Sequence, residues 1–131
     1  MAFFEGSVFS NTLRMQTRIS VCLPEFSPDE EWPVLYLLHG LSGNHTSWSG
    51  WSSIERYAIE AGLAVVMPEV QRSFYFDMKY GLPYFTYVAD ELPALCRRLF
   101  SVSDKRRDNF VAGLSMGGYG AFKTAINLPE R

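Results

Sequence analysis

Several features that would direct this 131-residue sequence toward other functions are scarce or missing. It has two cysteines, Cys22 and Cys96, one in a strand-like and one in a helix-like segment. Without an export signal, such a pair reads as buried free thiols rather than a disulfide. The first residues, Met1, Ala2, Phe3, Phe4 and Glu5, have no basic segment and no long apolar core. That argues against a signal peptide and a transmembrane helix, so the expectation is a cytoplasmic chain with no membrane partner. No run of His, Cys, Asp or Glu has metal-ligand spacing, and no cofactor is implied. Charge of one sign is lacking as well: 12 Lys and Arg against 14 Asp and Glu leave a net −2. This gives no attraction to nucleic acid or to an acidic membrane surface. Histidine is as rare as cysteine, with only His39 and His45 present.

What is abundant is apolar. Hydrophobic residues make up 47% and aromatics 15%, which excludes a disordered chain. The length allows one domain, residues 1–131, with a modest core. Residues 3–10 and 14–23 alternate roughly, with Met15, Thr17, Ile19 and Val21 on one side, and predict two antiparallel strands joined near Asn11 and Thr12. Residues 24–33 read as a loop whose Asp29, Glu30 and Glu31 form a solvated face. The continuous apolar runs 34–38 and 63–67 read as strands buried on both faces. Ser52 and Glu55 fit a capping box, opening a helix that runs to Ala61 and stops at Gly62. An aromatic loop spans 69–83. Thr86 is placed to cap a helix to Phe100, with Val88, Leu92, Leu95 and Leu99 on one face and Pro93 starting or kinking its regular part. Alternation of apolar strands with helices gives an α/β fold: a mostly parallel sheet with an antiparallel start and helices on both faces.

The chemistry concentrates where two strands end. The apolar run 109–112 breaks at Gly113-Leu114-Ser115-Met116-Gly117, and a helical pattern follows over 119–128. Strand, Gly-x-Ser-x-Gly and helix are the parts of a nucleophile elbow: a sharp, strained turn that exposes a serine hydroxyl. Glycines on both sides allow strand and helix to approach closely. The run 34–38 ends in His39-Gly40-Leu41-Ser42-Gly43, and in a parallel sheet both loops fall at the carboxyl-end crevice. Acyl transfer through serine needs a nucleophile, a base and donors for the tetrahedral oxyanion. Ser115 is the candidate nucleophile, and the backbone N–H groups of Met116 and Leu41 are the candidate oxyanion donors. Losing one such donor typically costs about 3 kcal/mol of barrier. His45, Trp48 and Trp51 are candidate substrate-pocket residues. Phe74 and Tyr75, with the two tryptophans, either line an acyl pocket or pack on the sheet.

The segments Leu37 to Gly43, Glu91-Leu92-Pro93 and Ala112 to Ala121 resemble the esterase D group of the α/β-hydrolases. That group includes S-formylglutathione hydrolases, tributyrin-type carboxylesterases and mycolyltransferases. The resemblance spans almost the whole chain and is strongest to a bacterial tributyrin esterase. It implies a carboxylesterase acting on small-molecule short-chain acyl esters, with Ser115 as nucleophile and Leu41 and Met116 as oxyanion donors. The S-formylglutathione branch usually carries a cysteine just past the oxyanion loop. Ser42-Gly43-Asn44-His45 stands there instead, which argues mildly against glutathione thioesters.

One departure from the family is large. The triad order in this fold is serine, acid, histidine. After Ser115 the chain holds one acid, Glu130, and no histidine. The sequence therefore reads as the N-terminal half of an esterase, with the acid and base of its triad elsewhere and negligible activity alone. Its strand 109–113 would be an unpaired apolar edge. A complementing C-terminal half, or a homo-oligomer, would cover it. His39 is expected to shape the loop rather than act as a base. Asp77, Asp90 and Glu91 are expected to be surface or helix-capping charges.

Overall fold

The computed structural model describes residues 1–25 and 29–131. The middle of the expected 24–33 loop, residues 26–28, lies outside the described residues, while Asp29, Glu30 and Glu31 are exposed. The strands are β1 (Ala2–Ser10), β2 (Met15–Leu23), β3 (Val34–Leu38), β4 (Ala64–Pro68) and β5 (Asn109–Gly113). They form one sheet in the order β1-β2-β4-β3-β5. β1 and β2 make the expected antiparallel hairpin, Ala2 opposite Leu23 and Ser10 opposite Met15. β2 joins β4 antiparallel, and β3 runs parallel to both β4 and β5.

The two-residue strand period sorts the core. Val34, Tyr36 and Leu38 face one layer, packed with Val66, Val88, Leu92 and Met116. Leu37, Val65, Met67 and Cys22 face the other, against Ala58 with Trp48 and Ile54. Helices α1 (Ser47–Trp51) and α2 (Ile54–Ala61) cover that second face. The first face is covered by a helical stretch, α3 (Tyr84–Thr86), a π-helical turn (Tyr87–Glu91) and α4 (Leu92–Leu99), and by α5 (Met116–Asn127). Cys22 and Cys96 are both buried free thiols. Among the described residues no helix is long and apolar enough to cross a membrane.

Four local expectations change. Residues 47–51 form α1, where no helix was expected. The capping box does not form: Ser53 is the N-cap and makes no side-chain cap bond. Because α1 ends one residue earlier, Ser52 Oγ is drawn to its free carbonyls and donates to Trp48 O, while accepting from Ile54 N–H at 3.3 Å. Thr86 lies within the helical stretch rather than capping it. The N-cap is Pro83, and a first-turn amide is served from a distance by Asp77, whose carboxylate accepts from Thr86 N–H at 2.8 Å and Thr86 Oγ1 at 2.6 Å. Finally, α5 begins at Met116 rather than Tyr119, because the glycines that weaken its helical pattern are needed for close packing.

One more expectation fails: of the apolar face Val88, Leu92, Leu95 and Leu99, Leu99 is 54% exposed and Cys96 is buried instead, because the π turn shifts the helical register. The helix stop at Gly62 stands. Gly62 ends α2 in the left-handed region at φ 65°, with Gly62 N–H bonding Ile59 O at 3.1 Å and Leu63 N–H bonding Ala58 O at 2.9 Å. Pro93 is the second residue of α4, just past the π turn, and lacking an N–H it cannot serve the carbonyl of Ala89. Arg131 Nη1 does so at 3.0 Å and also meets Asp90 Oδ1 at 2.7 Å. Glu91, expected as a surface or helix-capping charge, is instead half-buried: it accepts from Thr12 N–H at 2.9 Å and from Ser10 Oγ, tying the β1–β2 turn to the helix.

Candidate active site

Parallel pairing places the two glycine-rich loops together. Leu38 stands opposite Gly113, so β3 and β5 release their loops side by side at the same end of the sheet. A Cβ on Gly40 would lie 3.7 Å from Ser115 Cβ and 3.4 Å from Leu114 O. The loop after β3 therefore rests directly against the elbow.

Ser115 has φ 58° and ψ −120°, a left-handed backbone on a residue that carries a Cβ, and it is exposed. Such a conformation costs on the order of 1–3 kcal/mol and persists only where its surroundings over-determine it. Here they do. A Cβ on Gly113 would sit 2.3 Å from the carbonyl carbon of Gly117, and one on Gly117 would sit 2.1 Å from Leu38 O. Strand, elbow and helix thus meet backbone to backbone. Gly117 N–H bonds Leu114 O at 2.9 Å and Tyr119 N–H bonds Ser115 O at 3.0 Å, so the turn runs directly into α5. Met116 is the first residue of that helix, where an N–H has no intrahelical acceptor.

The facing loop is held equally firmly. Gly43 N–H bonds Gly40 O at 3.0 Å and closes a turn with Leu41 at its second position, whose N–H the turn does not use. His39 is 1% exposed. Its Nε2 accepts from Val70 N–H at 3.0 Å, which leaves the ring proton on Nδ1, and Nδ1 donates to Gly40 O at 2.6 Å. Burial pushes its pKa below the usual imidazole value, against a smaller upward pull from the Gly40 carbonyl and Glu69. His39 is a neutral brace with both nitrogens occupied. Because a peptide is planar, two donors on Gly40 O fix the plane that carries Leu41 N–H.

The candidate pocket residues lie elsewhere. His45 is buried against β2: Arg18 Nε donates to its Nε2 at 3.2 Å, and its Nδ1 contacts Ser20 Oγ at 2.9 Å. Both nitrogens are engaged within the fold, so His45 is an anchor for its loop rather than a side chain presented to a substrate. Trp48 packs into the core on the α1–α2 face, its Nε1 donating to Leu38 O at 3.1 Å. Trp51 is 91% exposed. Polar and aromatic composition suggested a pocket here; the unexpected α1 directs these side chains into packing and outward to solvent.

Tyr75 was open between pocket and packing, and the structure buries it completely. Its hydroxyl donates to His39 O at 2.9 Å, and a Cβ on Gly120 would meet its ring at 2.5 Å. The one sequence signal for this contact was a glycine inside a helical pattern, at position 120. Phe74 remains exposed beside Tyr119, their ring centroids 6.2 Å apart. The arrangement holds an exposed serine at a strained turn, with the loop after β3 packed against it at the same end of the sheet.

Comparison with known proteins adds independent findings. The esterase family model, described as "Putative esterase", matches residues 10–131. An acetyl esterase of Caldicellulosiruptor saccharolyticus is 33% identical over a gapped alignment of 136 positions that covers 96% of this chain and 51% of that protein. A substrate-bound fluorophosphonate-binding serine hydrolase of Staphylococcus aureus is 41% identical with a TM-score of 0.93, over 98% of this chain and 53% of that one. An S-formylglutathione hydrolase of the same organism is 40% identical with a TM-score of 0.89, over 98% and 53%. The chain spans about half the length of these relatives.

Proposed function

The chain belongs to this esterase family, and from that premise we propose that it carries the nucleophile and oxyanion site of a cytoplasmic serine carboxylesterase that cleaves small-molecule esters of short acyl groups. Ser115 Oγ gives its proton to a base outside residues 1–131, which later returns it to the leaving alcohol, and attacks the ester carbonyl carbon as the carbonyl electron pair moves onto oxygen. The N–H groups of Leu41 and Met116 receive that oxyanion. The tetrahedral intermediate collapses, the alcohol leaves with a proton, and an acyl group remains on Ser115. Water then repeats the attack and releases the acid. The observation that carries this reading is the strained, exposed Ser115 lying against the Gly40–Leu41 loop. The likeness to an acetyl esterase favours a small acyl group.

The base and acid of the triad are not among residues 1–131 in this reading. His39 and His45, the two histidines, each have both ring nitrogens engaged inside the fold. The exposed edge at β5 supports the same view. Phe110 is 48% and Leu114 66% exposed, and on the neighbouring helix Phe122 is 74% and Ile126 73% exposed. Unpaired apolar edges attract further strands, so a complementing second half that brings the acid and the histidine would cover this face.

A fluorophosphonate probe tests the assignment. In the protein at its natural length it labels Ser115, Ser115→Ala removes the label, and p-nitrophenyl acetate and butyrate are turned over ahead of longer chains. Residues 1–131 alone give negligible turnover. Rapid hydrolysis by the isolated 1–131 chain, abolished by Ser115→Ala, would overturn the claim that the base lies elsewhere. Labelling at another residue would overturn the role of Ser115.

A further inference from the structure

The loop between β4 and α3 contains two consecutive non-glycine residues in the left-handed region, Phe74 at φ 52° and Tyr75 at φ 57°. Side chains make that conformation costly, and it persists where surrounding contacts enforce it. Here it turns Tyr75 inward, where the side chain reaches both halves of the site. On one side the hydroxyl donates to His39 O at 2.9 Å. That carbonyl belongs to the peptide immediately before the one carrying Leu41 N–H. On the other side the ring fills the space a Cβ on Gly120 would need, 2.5 Å from Cδ2. One helical turn further on, Lys123 Nζ donates to Tyr75 O at 2.9 Å, and the same ammonium sits 4.0 Å from the Phe76 ring centroid and 4.4 Å from that of Phe85. Gly120 and Lys123 both belong to α5, whose first amide is Met116 N–H.

Tyr75 is therefore a strut between the loop that carries Leu41 and the helix that begins at Met116. Packing alone does not require a phenol here, since a phenylalanine ring fills the same space. The hydroxyl adds a directed bond to the peptide next to Leu41. Burial holds the phenol protonated, so it stays a donor across the working pH range.

We propose that Tyr75 is a positioning residue for ester cleavage: its hydroxyl and ring hold the Leu41 and Met116 amides at the spacing that receives the oxyanion. The proposal rests on the Ser115 esterase reading. Small displacements of such groups are expensive, and about 1 Å can cost on the order of a hundred-fold in rate.

The experiment is Tyr75→Phe in the protein at its natural length, with p-nitrophenyl acetate as substrate. Fluorophosphonate labelling of the unaltered protein comes first: no label at Ser115 would refute the esterase reading itself, and the positioning role with it. With labelling established, kcat is expected to fall about ten-fold or more while KM stays within about two-fold, because the amides act on the transition state and not on the bound ester. Pre-steady-state acylation and deacylation should slow by similar factors, since the same amides serve both steps. Circular dichroism at the assay temperature confirms that the variant is folded. A folded Tyr75→Phe with a lowered melting temperature and unchanged kcat overturns the proposal, as does a rise in KM at constant kcat. If Tyr75→Phe yields no folded protein, Lys123→Met is read instead, because it releases the Tyr75 carbonyl and leaves the phenol in place. A fall in kcat of about three-fold supports the strut, and an unchanged kcat refutes it.

Discussion

The two ends of the β3–β5 strand pair are built in opposite ways. At the carboxyl end there is no room for a methyl group: Cβ atoms on Gly113 and Gly117 would lie 2.3 and 2.1 Å from neighbouring backbone. At the amino end of β5, between α4 and α5, a cavity of about 460 Å³ opens beneath Tyr36, Val88, Pro93, Val111 and Leu128, with Arg97 in its wall. Apolar side chains also reach solvent nearby, Phe122 and Ile126 among them. The same two strands thus support a closed end and an open end. The contacts that fix the closed end come from β3, β5 and α5 and from the loop after β4, through Val70 and Tyr75. The open end has a cavity, so packing is tight around Ser115 and loose at the amino end of β5.

The largest test of this contrast is a single methyl group. Gly117→Ala would drive a Cβ into the Leu38 carbonyl, a backbone atom of β3 that cannot rotate away. The expected loss exceeds about 3 kcal/mol, at the severe end for point substitutions, and shows as a collapse in soluble yield or a large drop in the urea midpoint. Gly6→Ala is the control, because a Cβ there meets nothing within 4 Å. Its stability should change by less than about 0.5 kcal/mol. Equal effects for the two substitutions would end the idea that the elbow is over-packed by design.

A second test reads the strain at Ser115 directly. Ser115→Ala and Ser115→Gly both remove the hydroxyl, but only glycine adopts φ 58° freely. Ser115→Gly should therefore be more stable than Ser115→Ala by about 1 kcal/mol, even after glycine's larger unfolded-state entropy is counted. Thermal unfolding of the two proteins under one set of conditions measures it. Equal melting temperatures would mean that the elbow stores no strain.

How much of this could be read from residues alone follows the range of the interactions. The sheet was legible, because apolar runs such as 34–38 and alternation such as 15–21 report burial directly. The elbow was legible because its glycines and serine are contiguous in sequence. Gly62 was legible as a helix stop for the same local reason. Contacts between distant segments were not. Nothing near Asp77 announces that it serves a helix amide nine residues on, and nothing near Tyr75 announces His39 O, 36 residues earlier. The Ser52–Glu55 capping box was a correct local pattern overruled by a neighbour: α1 ends just before it and claims the serine. His45 misled in the opposite direction. A histidine in a polar loop resembles a site residue until Arg18 and Ser20, on a strand far earlier in the chain, are seen to hold it.

The smallest expected effect lies at the open end. Tyr36 is 7% exposed, lines the cavity, and its hydroxyl makes no hydrogen bond among the described residues. Burial pushes its phenol pKa well above the usual tyrosine value, so it enters the cavity as a neutral, unsatisfied group. A buried donor without a partner costs free energy that phenylalanine does not. Tyr36→Phe should then leave stability unchanged or raise it by up to about 1 kcal/mol, whereas a satisfied hydroxyl would lose about that much on removal. The sign separates the two accounts of this end. A loss of stability on Tyr36→Phe would mean that its hydroxyl has an acceptor, and a gain that it has none, the outcome that matches the apolar Val88, Val111 and Leu128 in the cavity walls.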